Sequence, residues 1–318
     1  MNRLCLVTYT RCGEEFTDEL RKIAEAFYYK YNHDFKVIIC CEQKFELTDT
    51  PYDVFFFEKA GTKYRRLISV MEVDNSEYYI SIDNDITGCI QSLLLFIKEI
   101  IENEYEVGWG KIRAIKQRGI IANMVAIDKL LSHNIIRPLL WKSGKGISIP
   151  GQIFCIKGDA FRGKLIDLDT FLDDLALGLY VNIHHSKKYL TDMILGEEKP
   201  NITFKGLLRQ RARWAEGYYT IISSKKINAI SRERVLIHGF CYHMAWIINW
   251  ITIVGTWLLS PILALAYIVF ISILIVNPDI KLVQYAIVYQ FVFPIFHIQW
   301  GAILVSNIIK GKGNEKQH

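Results

Sequence analysis

Runs of apolar residues and runs with helical spacing take turns along the first half of the chain. Residues 4–8, apolar up to Thr8, have the pattern of a buried strand, and residues 14–31 then place Phe16, Leu20, Ile23, Ala24 and Phe27 with the spacing of one helical face. Further strands are predicted at 35–40, 54–57 and 78–82, with a helix at 64–71 before the last of them. Strand, helix, strand, repeated, predicts a parallel sheet with crossovers, hence an α/β domain. Ligands of such sheets lie beyond the carboxyl ends of the strands. The residues that follow the strand at 78–82 are Asp83, Asn84 and Asp85.

Beyond this point the pattern predicts amphipathic helices at 88–102 and 111–131, a short strand at 152–156, a helix at 169–181 with acids in its first turn, and an Arg- and aromatic-rich helix at 203–223. From Val235 to Ile309 the only charged side chains are Asp279 and Lys281. Residues 251–276 and 282–308 are each long enough to cross a hydrocarbon core of about 30 Å, which takes about 20 residues. The stretch before them, with His238, His243, Asn249 and two Trp, has the composition of a helix lying in the membrane interface. A different division, two short helices breaking at Ser260 and Pro261, also fits. Basic residues before the apolar region (Lys225, Lys226, Arg232, Arg234) and after it (Lys310, Lys312, Lys316) favour two spans, with both flanks on the cytoplasmic side.

The predicted organisation is therefore an α/β domain at 1–226, an amphipathic interface region at 227–250, membrane helices at 251–309 (two, possibly three) and a cytoplasmic tail at 310–318. The net charge of +5 is modest, and the placement of the basic residues reads as membrane flanks, so no nucleic-acid partner is predicted. Seven cysteines without C-x-x-C pairs or Cys/His ligand spacing read as reduced thiols of a cytosolic domain. The amino terminus enters a strand-like run within a few residues, so no secretory leader is expected.

Three clusters can carry chemistry. Asp83 and Asp85 are carboxylates at a strand end, where a hard cation such as Mn²⁺ or Mg²⁺ is held by one or two carboxylates while phosphate oxygens complete its shell. A solvated turn also contains D-x-D, but the apolar strand before this one favours a site. Asp173 and Asp174 open a helix, where acids complement the dipole. A carboxylate there can equally serve as a general base. Gln210, Arg213 and Trp214 share one helical face, combining an amide, a guanidinium suited to diphosphate oxygens and an indole on which a sugar can stack. An interfacial helix touching lipid headgroups has the same composition.

In order and spacing, D-x-D, then D-D-x-x-L-G, then Q-x-x-R-W, then apolar helices, the chain resembles the family 2 glycosyltransferases of the cellulose, chitin, hyaluronan and poly-N-acetylglucosamine synthase group, from about Leu4 to the end. Q-x-x-R-W is the most specific of these motifs. The resemblance implies a GT-A, Rossmann-like nucleotide-sugar-binding domain followed by an interfacial helix and C-terminal transmembrane helices. It also implies Asp83 and Asp85 on the nucleotide diphosphate and its metal, and Asp174 as base with Asp173 where a glutamate is usual. Gln210, Arg213 and Trp214 would lie on the donor diphosphate and the acceptor end, Thr8 and Tyr9 on the nucleotide, and Lys63 where a lysine commonly follows the third strand. Residues 151–156 resemble the acceptor floor.

The chain departs from that pattern after the second strand, where Cys40-Cys41-Glu42-Gln43 replaces an acidic residue followed by Gly and Ser. Glu42 is the candidate replacement for the base-edge or ribose contact. The large synthases also carry membrane helices before the catalytic domain and enough after it to form a channel, which this chain can hardly make alone. The expected activity is an inverting hexosyl or N-acetylhexosaminyl transfer from a UDP-sugar to a growing cell-surface or capsular polysaccharide, through a β-linkage, in a bacterial membrane with the catalytic domain in the cytoplasm. The expected partners are the donor, a glycan or lipid-linked acceptor, the bilayer, and a second copy or a synthase partner. The rivals are transfer of one sugar to a polyprenyl-linked acceptor, and an inactive nucleotide-sugar-binding subunit of a synthase complex. His184 and His185 have no partner ligands at metal spacing and read as surface or core residues.

Overall fold

The computed structural model describes residues 3–11, 16–47, 50–168, 170–277 and 279–311. In chain order its elements are β1 (Leu4–Tyr9), α1 (Asp18–Tyr31), β2 (Phe35–Cys41), β3 (Asp53–Glu58), α2 (Lys63–Val73), β4 (Tyr78–Asp83), β5 (Ile86–Gly88), α3 (Ile90–Glu102), β6 (Val107–Ala114), α4 (Ile120–Leu131), α5 (Arg137–Lys142), β7 (Ile153–Lys157), α6 (Gly158–Phe161), α7 (Asp173–Ile183), β8 (Lys188–Glu198), α8 (Phe204–Ser223), α9 (Ala229–His243), α10 (Ala245–Leu259), α11 (Pro261–Val276), α12 (Val283–Val292) and α13 (Pro294–Ile309). They form two compact units. One is Met1–Arg113 with Ser148–Lys199, the other Ala114–Ile147 with Pro200–His318.

The first unit is built on an eight-stranded sheet in the order β3-β2-β1-β4-β7-β6-β8-β5. Strands β1 to β4 are parallel, as expected, with α1 in the crossover from β1 to β2 and α2 in that from β3 to β4. The remainder is not. β7 runs antiparallel to β4 and β6 antiparallel to β7, so the sheet is mixed. Leu4, Leu6, Val37, Ile39, Tyr78, Ile80 and Ile82 alternate along their strands and pack one sheet face against Leu20, Ile23 and Phe27 of α1 and Leu93, Phe96 and Ile100 of α3. The residues between them, Cys5, Val7, Ile38, Cys40 and Tyr79, are buried too, which is why these strands read as unbroken apolar runs. Thr17 caps α1, its hydroxyl accepting from the Leu20 N–H at 3.4 Å.

The helix predicted at 111–131 splits in two. Residues 107–114 are strand β6, and the helix begins only at Ile120. Lys111, Ile112, Arg113 and Ala114 alternate polar and apolar, a period of two that the long helical reading overrode. Gly110 fits that strand because a Cβ there would lie 2.6 Å from Leu195 Cγ. Strands β5 and β8 are additions to the predicted set. Residues 14 and 15, Asp169 and Lys312 to Lys316, invoked in the sequence reading, lie outside the described residues.

In the second unit, α4 and α5 are joined by a π-helical turn at Ser132–Ile136. Met124, Val125 and Ile127 of α4 share a core with Leu207, Ile275, Val276, Tyr289, Phe293 and Phe296. Helices within the 1–226 segment, α4 and α8, thus pack with the apolar helices that follow, and α13 packs along α8. The predicted span at 251–276 is broken. Helix α10 ends at Leu259 and α11 begins at Pro261, with Ser260 extended between them, because proline cannot continue the first helix. The two helices pack side by side, the Tyr267 hydroxyl donating to Asn249 Oδ1 at 2.9 Å. Residues 280–309 form one stretch long and apolar enough to cross a membrane, and α9 with α10, bent by 46°, passes the same test only if counted together. The described cysteines are free.

Candidate active site

β1 and β4 are neighbours in the parallel part of the sheet, and their register pairs Tyr9 with Asp83 at the carboxyl ends of both strands. The chain then turns through Asn84 and Asp85 into β5, so Asp83 and Asp85 flank a tight turn at the edge where ligands of α/β sheets bind. After β3 the chain passes Gly61, at φ +122°, and Thr62, whose hydroxyl accepts from the Arg65 N–H, before α2 starts at Lys63. The left-handed φ at Gly61 is one that glycine takes without strain, and it aims α2 so that its first side chain reaches the strand ends.

Lys63 is the hub of the site. Its ammonium lies 2.7 Å from Asp83 Oδ1 and 3.2 Å from Asp173 Oδ2, and it donates to the Gly151 carbonyl. It also stands 5.2 Å from the centre of the Tyr9 ring and 5.4 Å from that of Phe154. Burial works against the charged ammonium, but Asp173 and Asp83 outweigh it and hold the Lys63 pKa above its ordinary value. Burial also pushes the Asp83 carboxyl up to about 7, with the Asp173 charge adding to it and Lys63 opposing it. The Tyr9 phenol is raised well above its usual value, chiefly by burial, and sits 3.2 Å from the Ser81 hydroxyl.

Asp173 and Asp174 are the first two residues of α7. Leu172 places no side-chain cap on the helix, so the two carboxylates meet its positive end. Asp174 Oδ1 accepts from the Leu175 N–H at 2.8 Å. Gly151 is pressed against the pair, since a Cβ on it would lie 3.3 Å from Asp174 Cβ and 3.6 Å from Asp173 Oδ2. Asp83, Lys63, Asp173 and the Gly151 strap therefore form one cluster. The pattern along the chain put these residues in three separate motifs, and only the fold shows that one ammonium joins them.

Among the described residues no group of three or more His, Cys, Asp and Glu side chains could hold a metal ion. A hard cation that shares its shell with a ligand's phosphates needs only one or two protein carboxylates, and Asp83 with Asp85 fits that pattern. The Thr8 and Thr10 hydroxyls, at the end of β1, are buried with no hydrogen-bond partner among the described residues. Buried hydroxyls left unpaired at a ligand edge are groups that a bound molecule would satisfy. Glu42 follows β2 and accepts from Arg66 Nη2 at 3.2 Å, its side chain half exposed.

Gln210, Arg213 and Trp214 belong to the second unit, on α8. Gln210 Oε1 accepts from Asn201 Nδ2 at 3.2 Å, and Arg213 is exposed. The arginine between them is the buried one. Arg211 donates to Asp128 Oδ2 at 2.6 Å, its guanidinium lies 4.1 Å from the centre of the Trp214 ring, and the Tyr289 hydroxyl donates to the other Asp128 oxygen at 2.9 Å. This Asp128–Arg211–Tyr289 network was not foreseen. A single acid at 128 in a mostly apolar helix is its only signal in the sequence.

A family model described as glycosyl transferase family group 2 matches residues 82–280. A search of curated proteins returns no match. Among solved structures, the fold is similar to a mannosyltransferase from Pyrobaculum calidifontis in complex with GDP-Man and Mn²⁺, with TM-score 0.54 and 13% identity over 97% of this chain and 87% of the other. It also matches glucosyl-3-phosphoglycerate synthase from Mycobacterium tuberculosis, at TM-score 0.48 and 10% identity over 67% of this chain and 78% of the other. The match over most of the chain, on a mixed α/β sheet with GT-A-like neighbours, establishes that this protein belongs to glycosyl transferase family group 2.

Proposed function

We propose that the protein is a membrane-bound inverting glycosyltransferase of the processive synthase-like group, which moves a sugar from a UDP-sugar onto a growing cell-surface polysaccharide through a β-linkage. The observation that carries this reading is the Lys63 cluster, where Asp83, Asp173 and the Gly151 carbonyl converge on one ammonium at the carboxyl edge of the sheet.

In this reading Asp83 and Asp85 would hold Mn²⁺ or Mg²⁺, and the ion would supply positive charge to stabilise the departing diphosphate. The mannosyltransferase with a similar fold is described with GDP-Man and Mn²⁺, which supports a divalent cation and keeps GDP-sugars in the donor panel. Thr8, Thr10 and Tyr9 line the nucleotide side, and Glu42 meets the base or ribose. Lys63 fixes Asp173 and, through the Gly151 carbonyl, the strap behind Asp174. Asp174 takes the proton of the acceptor hydroxyl as it attacks the anomeric carbon from the face opposite the diphosphate, which inverts the configuration. Gln210, Arg213 and Trp214 act on the diphosphate and the acceptor end. Helices α9 to α13 bind the bilayer and keep the catalytic unit at the cytoplasmic face.

A second reading, transfer of one sugar to a lipid-linked acceptor, is favoured by the apolar helices α10 to α13, which suit an acceptor held in a bilayer. Product analysis tests both. With full-length protein in nanodiscs, Mn²⁺ and labelled UDP- and GDP-sugars, a ladder of β-linked products supports the polysaccharide reading and a single added sugar the second. Transfer from none of the donors would contradict both.

A further inference from the structure

Gly151 and Gln152 touch both halves of the candidate site. Gly151 is pressed against the start of α7, where a Cβ on it would lie 3.3 Å from Asp174 Cβ. One residue on, the Gln152 carbonyl accepts from the Asp83 N–H at 3.0 Å, at the end of the antiparallel β4–β7 pairing. The Gln152 side chain reaches a third element, donating through Nε2 to Glu198 Oε2 at 2.7 Å. Glu198 is the last residue of β8, and in the β5–β8 register it faces Ile86, the residue after Asp85.

The three strands meet here because β8 carries a glycine two residues earlier. A Cβ on Gly196 would lie 2.8 Å from Ile153 Cδ1 on β7 and 2.8 Å from Ile86 Cγ2 on β5, so a side chain there would force the strands apart. The two adjacent acids at the end of β8 have different partners. Glu197 accepts from Arg113 Nε at 2.7 Å, and that guanidinium offsets its charge. Glu198 is oriented by a neutral amide, which fixes a carboxylate in place without offsetting its charge. Gln152 and Glu198 are both half-buried.

The reaction itself says what passes over this pair. In an inverting transfer the anomeric carbon stands between the departing diphosphate and the attacking hydroxyl. In the proposed reading the first is held beside Asp83 and Asp85, and the second beside Asp174. Gly151 and Gln152 bridge those two places, so the ring of the transferred sugar lies above them. Sugar hydroxyls donate to carboxylates, and a carboxylate accepts at about four lone-pair sites, more than one amide N–H occupies.

We infer that the Gln152–Glu198 pair recognises two neighbouring hydroxyls of the sugar being transferred, with Glu198 accepting from them and Gln152 holding Glu198 in position. Glu198 is then a specificity-determining residue and Gln152 a positioning one. The inference deepens the transferase reading and rests on it for the place of the sugar. A tie that merely joins β7 to β8 would affect every ligand of the site alike, and that difference makes the two roles separable.

The test is titration calorimetry of the full-length protein in nanodiscs with Mn²⁺. The ligands are UDP-glucose, UDP-N-acetylglucosamine and GDP-mannose, each beside its nucleoside diphosphate, with deoxy forms of whichever sugar binds. Glu198→Ala should weaken the nucleotide-sugar by about tenfold or more, the scale of a hydrogen bond to a charged group, and leave UDP or GDP affinity within about twofold. The retained nucleoside diphosphate affinity reports that the variant is folded. Gln152→Ala should show the same pattern to a smaller degree. Removing one contacted hydroxyl should weaken the wild type by about tenfold and have little effect on Glu198→Ala, because the partner is already gone. Equal weakening of nucleotide-sugar and nucleoside diphosphate would overturn the inference, as would a deoxy penalty that persists undiminished in Glu198→Ala. Nucleoside diphosphate release in the same nanodiscs separates the two claims. Release with donor affinity indifferent to Glu198→Ala sinks the inference and spares the transferase reading; selective weakening without release from any donor does the reverse.

Discussion

The ammonium of Lys63 lies 3.2 Å from Asp173 Oδ2, so the first residue of α2 neutralises the first residue of α7. The same ammonium lies 2.7 Å from Asp83 on β4. Two carboxylates that would repel each other at the sheet edge are thus held together by one cation, and a third contact, to the Gly151 carbonyl, fixes the segment that backs Asp174. The arrangement ties the strand end to the helix start before any ligand arrives, which is the preorganisation that charge-stabilising catalysis requires.

Replacing Lys63 by Met should cripple the site in two ways. It leaves Asp83 and Asp173 facing each other without a counter-charge, and it frees the Gly151 strap. We expect turnover to fall by about 100-fold or more, the scale of losing one preorganised electrostatic contact. Lys63→Arg should not restore it, because a planar guanidinium cannot meet three oxygens arranged around a point charge. Near-normal turnover in Lys63→Met, measured as nucleoside diphosphate release, would contradict the role given to it.

The Asp83 carboxyl, raised to about 7 mainly by burial, predicts a pH dependence with a definite sign. On the proposed reading Asp83 binds the metal as a carboxylate, so Mn²⁺ affinity should rise about tenfold per pH unit up to about pH 7, then level off, with uptake of the ion releasing a proton below that point. In the metal-free protein the sign is opposite. A folded-state pKa above the unfolded value of about 3.9 means that this group's contribution to stability falls as pH rises from about 4 to about 7. Titration calorimetry in two buffers of different ionisation enthalpy checks the first. A pH-independent Mn²⁺ affinity between pH 5.5 and 8 would contradict it.

Gly151→Ala places a methyl group 3.3 Å from Asp174 Cβ. The contact is tight enough to displace the α7 start by a few tenths of an ångström and loose enough for the fold to survive. Since misplacement by about 1 Å can cost about 100-fold, we expect about a tenfold loss of kcat with little change in Tm. An unaltered kcat would show that the strap does not position Asp174.

Parts of this site were legible in the sequence because they obey local rules. The apolar run ending at Ile82 located Asp83 and Asp85, and the acids near 173 marked a helix start, although the helix predicted from 169 begins only at Asp173. The clustering of Lys63 with Asp173 was not legible, since it depends on the order β1-β4-β7 in the sheet and on β7 running antiparallel, neither of which has a local signature. Ser260 and Pro261 raised the break between α10 and α11 as an alternative, but charge asymmetry, which speaks to orientation and not to helix continuity, favoured an unbroken span. The Asp128–Arg211–Tyr289 network joins three helices distant in sequence, and only packing shows it.

Arg211 should matter to stability rather than to donor binding. It is buried, paired with Asp128 and stacked on Trp214. Arg211→Ala leaves the Asp128 charge largely buried without its partner and should destabilise the second unit by about 3 kcal/mol. Asp128→Ala added to it should recover part of that loss, because the orphaned charge is then gone. Arg213→Ala, at an exposed position on the same helix, should leave Tm unchanged and raise the donor KM. Thermal unfolding of the three variants in detergent separates the two arginines, and equal Tm losses at 211 and 213 would contradict the assignment.

The most direct test of the account is release of nucleoside diphosphate from a panel of UDP- and GDP-sugars by the full-length protein in nanodiscs with Mn²⁺, beside Asp85→Ala and Asp174→Asn. The account predicts release from one donor, lost in both variants while each stays folded. Release that survives Asp174→Asn at the wild-type rate, in the presence of an acceptor, would contradict the catalytic role placed on that carboxylate.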